Sequence, residues 1–289
     1  MLAPAVLWPY LLGFTVLCLG LFAALRGEWG PARQPNHAIE NVLPFGPLCF
    51  AVPMAIFSAE HFTAAKAMGA AIPAWIPGHL FWAYFVGAAL LGAAFSIALH
   101  RVSGLAATLL GVMLFGFVAL IHWPRLMVNP ADRISIAVIL RDLAFSAGAL
   151  SLAVSQTGKP AGVLAAKVIA VSRTIVALSL LFFGVQHFLH PGFVPVVPLA
   201  LQMPAWMPFH FLWSSVVGMA LLAGGLLMIV NWHARTTATA LGILVLITVL
   251  LVYAPILAAK PSDIGIGMNY FADTLAVGGN LLILARALG

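Results

Sequence analysis

Residues 73–79 read Pro-Ala-Trp-Ile-Pro-Gly-His, and residues 204–210 read Pro-Ala-Trp-Met-Pro-Phe-His. The offset of 131 holds onward from this motif. Trp82 matches Trp213, Gly87 matches Gly218, Gly111 matches Gly242, Pro124 matches Pro255 and Pro130 matches Pro261. Asp132 matches Asp263, Asp142 matches Asp273 and Gly148 matches Gly279. Upstream the offset falls to 126, pairing Phe57, His61 and Phe62 with Phe183, His187 and Phe188. A repeat of this length, with polar residues in register, is a duplicated structural unit.

The chain is 63% hydrophobic and 7% charged, against about 25% charged in a soluble domain. Such a composition belongs to an all-α, polytopic integral membrane protein. The 13 Lys and Arg are scattered singly, so the net charge of +6 carries no nucleic-acid signature. Cys18 and Cys49 fall in different apolar segments and form no CxxC pair, which argues for packing and against thiol redox chemistry.

A spanning helix needs roughly 20 apolar residues. About nine segments qualify: 4–25, 45–65, 77–99, 104–123, 133–154, 163–189, 208–231, 236–257 and 265–286. The first stands outside the repeat and lacks the basic leader of a signal peptide, so a retained helix is expected. The chain divides into 1–44 (helix and loop), 45–158 (first four-helix unit) and 159–289 (second four-helix unit). Each unit has an even number of spans. Both therefore cross in the same sense, as two parallel four-helix-bundle repeats.

Arg26, Arg33, Arg101, Lys159, Lys167, Arg173, Arg235 and Arg286 fall at one face, and Lys66, Arg125, Arg133 and Lys260 at the other. This bias places the first face in the cytoplasm. The N-terminus is then outside, the C-terminus cytoplasmic, and a bacterial inner membrane is the expected location. Residues 190–205 carry Pro191, Pro195, Pro198 and Pro204, which excludes a regular helix. An apolar interfacial loop that covers something is expected there.

Polar side chains inside a membrane are costly, so their placement is informative. His61, His79, His122, His187, His190 and His210 all fall toward the expected outer face, with Glu60 in the first unit and Gln186 at its matching position. The second proline of each motif suits the first turn of a helix. His79 and His210 then stand at a helix N-terminus, where the dipole favours a neutral imidazole. Sites pairing His61 with His79, and His187 with His210, weigh evenly against simple helix-end packing. Asp132 and Asp263 read as helix caps. Asp142 and Asp273 lie about 14 Å deeper and are functional candidates by default. Arg141 adjoins Asp142, yet neighbours at i and i+1 do not face each other on a helix. Ala272 replaces that arginine in the second unit, so Asp273 must find another partner or water. His122 aligns with Tyr253.

The catalytic candidates are thus His61, His79, His122, Asp142, His187, His210 and Asp273. Glu60, Trp75, Trp82, Trp206 and Trp213 are candidates for holding a cofactor. For the tryptophans the competing reading is an interfacial belt. The spacing matches no metal motif.

The run His79-Leu-Phe-Trp-Ala-Tyr-Phe-Val-Gly87, the later His122-Trp-Pro124, and Glu60-His61-Phe62 ahead of Pro73-Ala-Trp-Ile-Pro77 resemble the DoxX-like family. The resemblance covers about 45–155 and 172–288. It implies a four-helix membrane bundle in each unit and an association with membrane oxidoreductase systems, some of them quinone-linked. A quinone is the cofactor so implied. Membrane lipid and a membrane or periplasmic protein are the expected partners. A non-enzymatic scaffold subunit and a proton-coupled transporter are the alternatives.

Overall fold

The computed structural model describes residues 3–29, 38–156 and 162–289. Arg33, Lys159 and the expected unit boundary at 158/159 lie outside them. All regular elements are helical: α1 Pro4–Leu25, a 3-10 segment Ala38–Phe45, α2 Gly46–Thr63, α3 Ala65–Ala70, α4 His79–Ala98 and α5 Ser103–Phe117. A π segment Val118–His122 leads into α6 Trp123–Val128, followed by α7 Arg133–Ser155, α8 Val163–Leu189, α9 His210–Ile229 and α10 Ala234–Thr248. A second π segment Val249–Tyr253 leads into α11 Ala254–Ala259, and a third, Ile264–Met268, opens α12 Asn269–Ala287.

Among the described residues, eight stretches are long and apolar enough to cross a membrane, and the protein is an integral membrane protein. The ninth expected span exists as α12, but Asn269, Asp273 and Asn280 make it too polar to meet that standard. The reason is its position. α12 is buried along most of its length, including Leu281, Leu282 and Leu284 at 0% exposure, so protein and not lipid is its solvent.

The duplication is visible in the backbone. Val118–His122 and Val249–Tyr253 are π segments 131 residues apart, and each is followed by a six-residue helix with proline at its second position. Proline lacks the N–H that a carbonyl four residues back requires, and a π bulge absorbs the disturbed register. Gly78 (φ 75°) matches Phe209 (φ 60°), His100 (52°) matches Asn231 (57°) and Val102 (46°) matches His233 (48°). Left-handed backbone recurs at all three positions although the side chains differ. Pro77 lies outside the helix, contrary to expectation. Gly78 and Phe209 are the left-handed N-caps, and His79 and His210 begin the helices.

The two units do not close as separate bundles. α2 packs on α4, and α8 on α9; α5 packs on α7, and α10 on α12. Two equally extensive contacts cross between units: α2 lies on α12, and α8 on α7. α7 and α12 also pack against each other. The last helix of each repeat thus becomes the seat for the first helix of the other. The pattern is that of a two-fold axis passing between α7 and α12.

Small residues permit these crossings, as expected where lipid supplies no hydrophobic drive for association. A Cβ on Gly279 would lie 2.6 Å from the Phe50 amide nitrogen of α2. The matching α7–α8 crossing is tied by Ser172 Oγ donating to the Ala147 carbonyl at 3.0 Å. α1 packs along α2, with Gly13 against Ile56 and Gly20 against Leu48.

Candidate functional site

The buried carboxylates of the two repeats meet at the α7–α12 crossing. Arg141 Nε donates to Asp142 Oδ1 at 2.9 Å, and its Nη1 donates to Asp273 Oδ2 at 2.6 Å. His122 Nε2 lies 3.0 Å from Asp142 Oδ2. Neighbouring residues therefore do pair here. The guanidinium is long enough to turn back onto its own helix with Nε while reaching the other repeat with Nη1. Asp273 finds its partner across the axis, at the arginine that its own repeat lacks. Both carboxylates are about 95% buried, and buried charges persist only when paired and hydrogen-bonded. The π segment sets His122 beside Asp142. Its counterpart Tyr253 turns elsewhere, donating to the Pro195 carbonyl.

A second polar group stands at the α2–α12 seam. Glu60 is 5% exposed, and its Oε1 has no hydrogen-bond partner. It lines a cavity of about 340 Å³. The other walls are Ala5 and Val6 of α1, Thr63 at the end of α2, Met68 of α3, and Asp263, Ile264 and Asn269 at the head of α12. Tyr10 of α1 donates to the Pro261 carbonyl at 2.8 Å and fixes this wall. The cavity opens at the face bearing the two proline motifs. Asn269 is the polar neighbour of Glu60 there, and the charge of Asp273 also acts on it.

The shared His-Phe phrase has a packing role in both units. A Cβ on Gly87 would meet His61 Cβ at 3.0 Å and Phe62; one on Gly218 would meet His187 Cβ at 2.8 Å and Phe188. His61 Nδ1 bonds the Phe57 carbonyl at 2.8 Å, and His187 Nδ1 the Phe183 carbonyl at 2.6 Å. His187 is fully engaged, because its Nε2 accepts from the Val196 amide at 2.9 Å. That bond makes Nε2 the acceptor and Nδ1 the donor, so the ring is neutral. His210 Nε2 bonds the Pro204 carbonyl at 3.0 Å, within its own motif. His79 stands against Gly69 of α3. The expected pairings of His61 with His79, and of His187 with His210, do not form.

The tryptophans build no flat wall. Trp75 and Trp206 are 71% and 54% exposed, and Trp82 spends its indole N–H on the Pro77 carbonyl at 3.1 Å. Trp213 packs partly against the core. None of them lines the Glu60 cavity. Asp132 and Asp263 cap α7 and the α12 π segment. Ser135 bonding holds the Asp132 carboxyl below the usual carboxylate range. Cys18 and Cys49 are free thiols.

No protein-family model matches the chain, and neither a curated protein nor a solved structure does. The site must be read from its geometry alone.

Four participants escape sequence reasoning. Arg141 is visible as a neighbour of Asp142 and not as a bridge. Asn269 belongs to no motif. The loop after α8 is held by Arg133 and Tyr270, whose roles have no local signature. Arg133 donates to the Pro198 and Leu199 carbonyls at 2.8 and 2.6 Å, and Tyr270 Oη accepts the Ala200 and Leu201 amides at 2.6 and 2.9 Å. In the sequence, only the absence of a partner for Asp273 in its own repeat pointed across the axis.

Proposed function

We propose that this chain is a redox-associated membrane protein, DoxX-like in kind, that binds a quinone or a similar apolar molecule near the outer leaflet. The proline-motif face is outward, the C-terminus is cytoplasmic, and the membrane is a bacterial inner membrane. One observation carries the reading: Glu60, a buried residue with an unpartnered carboxyl oxygen, is part of the lining of a cavity walled by apolar α1 residues. An unpartnered buried polar group is costly unless something meets it.

The donor set suits a compact ring with hydrogen-bonding oxygens. A protonated Glu60 donates to a carbonyl, and its carboxylate accepts from a quinol hydroxyl. The Asn269 amide, tied to the Gly265 carbonyl at 3.2 Å, steadies the Glu60 carboxyl beside the head group. The cavity holds a head group and not a long tail, at the lower end of the usual 300–1,000 Å³ for small-molecule sites. When bound, a quinone supplies electron-transfer chemistry. The chain's own residues orient the head, exclude water from Glu60 and hold one proton there.

The test is titration of the purified protein with a short-chain quinone, followed by tryptophan fluorescence, together with mass spectrometry of lipid extracted from the native preparation. Saturable binding that weakens about tenfold in Glu60→Ala, roughly 1.4 kcal/mol, supports the reading. Binding indifferent to Glu60, or no quinone in the native extract and no saturation, overturns it.

A further inference from the structure

The two-fold relation between the repeats predicts a second seam equivalent to the one that holds the cavity. Glu60 corresponds to Gln186, Met68 to Val194, Asp263 to Asp132 and Ile264 to Arg133. Gln186 is 6% exposed, and its Oε1, like Glu60 Oε1, has no hydrogen-bond partner. The same unmet group thus stands at both seams.

The surroundings differ. Between Thr63 and Pro73 the first repeat has nine residues, 64–72; between Leu189 and Pro204 the second has fourteen, 190–203. The five extra residues account for the change of offset from 126 to 131. They belong to a segment folded back on itself, with the Val194 amide donating to the Leu201 carbonyl at 2.9 Å and the Met203 amide to the Gly192 carbonyl at 2.8 Å. Val194, Val196 and Val197 are at most 1% exposed.

The segment is gripped from four helices or their continuations. The Pro195–Val196 peptide is held on both sides, its carbonyl by Tyr253 and its amide by His187. Arg133 and Tyr270 take the backbone of Pro198 to Leu201. Val196 has φ 79°, which is strained for a β-branched residue. Arg133 occupies the position of Ile264, a wall of the open cavity, and from there it fastens the segment over the seam.

We infer that the Gln186 seam is a second copy of the Glu60 site, closed by the chain's own Phe193–Leu201 segment, so that each chain takes one ligand and not two. The ligand class rests on the proposed function; the closure does not. Arg133, at the place of the cavity-lining Ile264, is spent on holding the segment, and His187 and Tyr253 help to hold it from beside the seam. His187 and Tyr253 supply one acceptor and one donor to a backbone amide, as they would to an external polar head.

The decisive experiment reads access directly. In a background with Cys18 and Cys49 changed to serine, Glu60→Cys and Gln186→Cys are exposed to a small charged methanethiosulfonate from the motif face. Glu60→Cys is expected to react and Gln186→Cys to resist. Removing residues 195–199 together with Arg133→Ile is expected to make Gln186→Cys react at a rate near that of Glu60→Cys. Should the shortened chain fail to fold, the pair Arg133→Ile and Tyr270→Phe in the full-length segment takes its place. The inference is overturned if Gln186→Cys reacts in the intact chain, or stays silent after unlatching while Glu60→Cys still reacts. Short-chain quinone stoichiometry forms the second arm, expected to rise from one to two on unlatching. Labelling as expected with no quinone bound anywhere upholds the closure and defeats the proposed function.

Discussion

The Arg141 guanidinium stands 2.6 Å from Asp273 and 2.9 Å from Asp142, so one cation of the first repeat bridges a carboxylate in each. Removing it leaves two buried carboxylates facing each other. Breaking a buried pair from one side costs about 3–5 kcal/mol. Arg141→Met is therefore expected to lower thermal stability sharply in detergent, read by the loss of monodisperse elution after heating. Because the site straddles an axis, the arginine should serve from either side. Arg141→Ala combined with Ala272→Arg is expected to recover most of the loss. Failure of the exchange while Arg141→Lys retains stability would show that the axis does not relate the two positions.

At the same crossing, Asn280 donates to the Ala144 carbonyl at 2.7 Å, and a Cβ on Gly148 would lie 1.8 Å from its Oδ1. Gly148→Ala alone is expected to cost about 1–3 kcal/mol through overpacking. Asn280→Ala alone should cost about 1 kcal/mol through its lost bond. Asn280 corresponds to Ala149 in the first repeat, so alanine suits the local backbone. Combined, the two changes should cost clearly less than their sum, because the small residue makes room for the methyl. A double-mutant cycle on thermal stability reads this; simple additivity would contradict the contact.

Tyr253 is fully buried and donates to Pro195. Tyr253→Phe leaves that carbonyl unpaired, at a cost of about 1–3 kcal/mol. Hydrogen exchange across residues 190–203 should quicken by roughly five- to a hundredfold, while α2 and α4 keep their protection. Unchanged exchange in this segment would show that the hydroxyl does not hold it.

The opposite face offers a pH test. Trp29 stacks on His100 with ring centroids 5.4 Å apart and donates to the Ala98 carbonyl at 3.2 Å. His100 Nε2 is buried without a partner. Burial pushes this imidazole below its ordinary 6.5, and Arg286 adds to the shift. The folded protein thus binds the proton more weakly than the unfolded chain. Its stabilising contribution is complete above about 6.5 and is lost as pH falls through the lowered value. Trp29 emission should shift between pH 7 and 5. His100→Asn, which copies the left-handed Asn231, should abolish the shift.

Much of this architecture was legible because membrane physics restricts the choices. Apolar length located the helices, and the 131-residue register paired the positions at which the structure places π segments and left-handed caps, although the sequence marks neither feature as such. Closure of the bundles was not legible. Hydrophobic periodicity says which segments are helical, and it is blind to whether α2 returns to α7 or lies on α12. α12 fell short as a membrane span because its Asn269, Asp273 and Asn280 are solvated by protein. The candidate site was half legible. Asp142, Asp273, His122 and Glu60 were marked by polarity at depth, whereas His187 and His210 proved to be fastened to backbone. Their partners at Val196 and Pro204 are set by loop geometry, which spacing does not encode. Arg141 was discounted by a rule about helical neighbours that holds for short side chains and fails for a guanidinium that doubles back.

The crossing of α7 and α12 also bears on why the two repeats are one chain. Two identical half-length subunits meeting on this axis would bring two arginines to it, or none. Two would crowd guanidiniums of like charge, and none would leave the carboxylates to repel each other. Covalent fusion of two unlike halves removes the dilemma, because every molecule then carries one arginine and one alanine at the related positions. The unequal Arg141 and Ala272 therefore exclude assembly from two identical halves, and the single chain guarantees one of each.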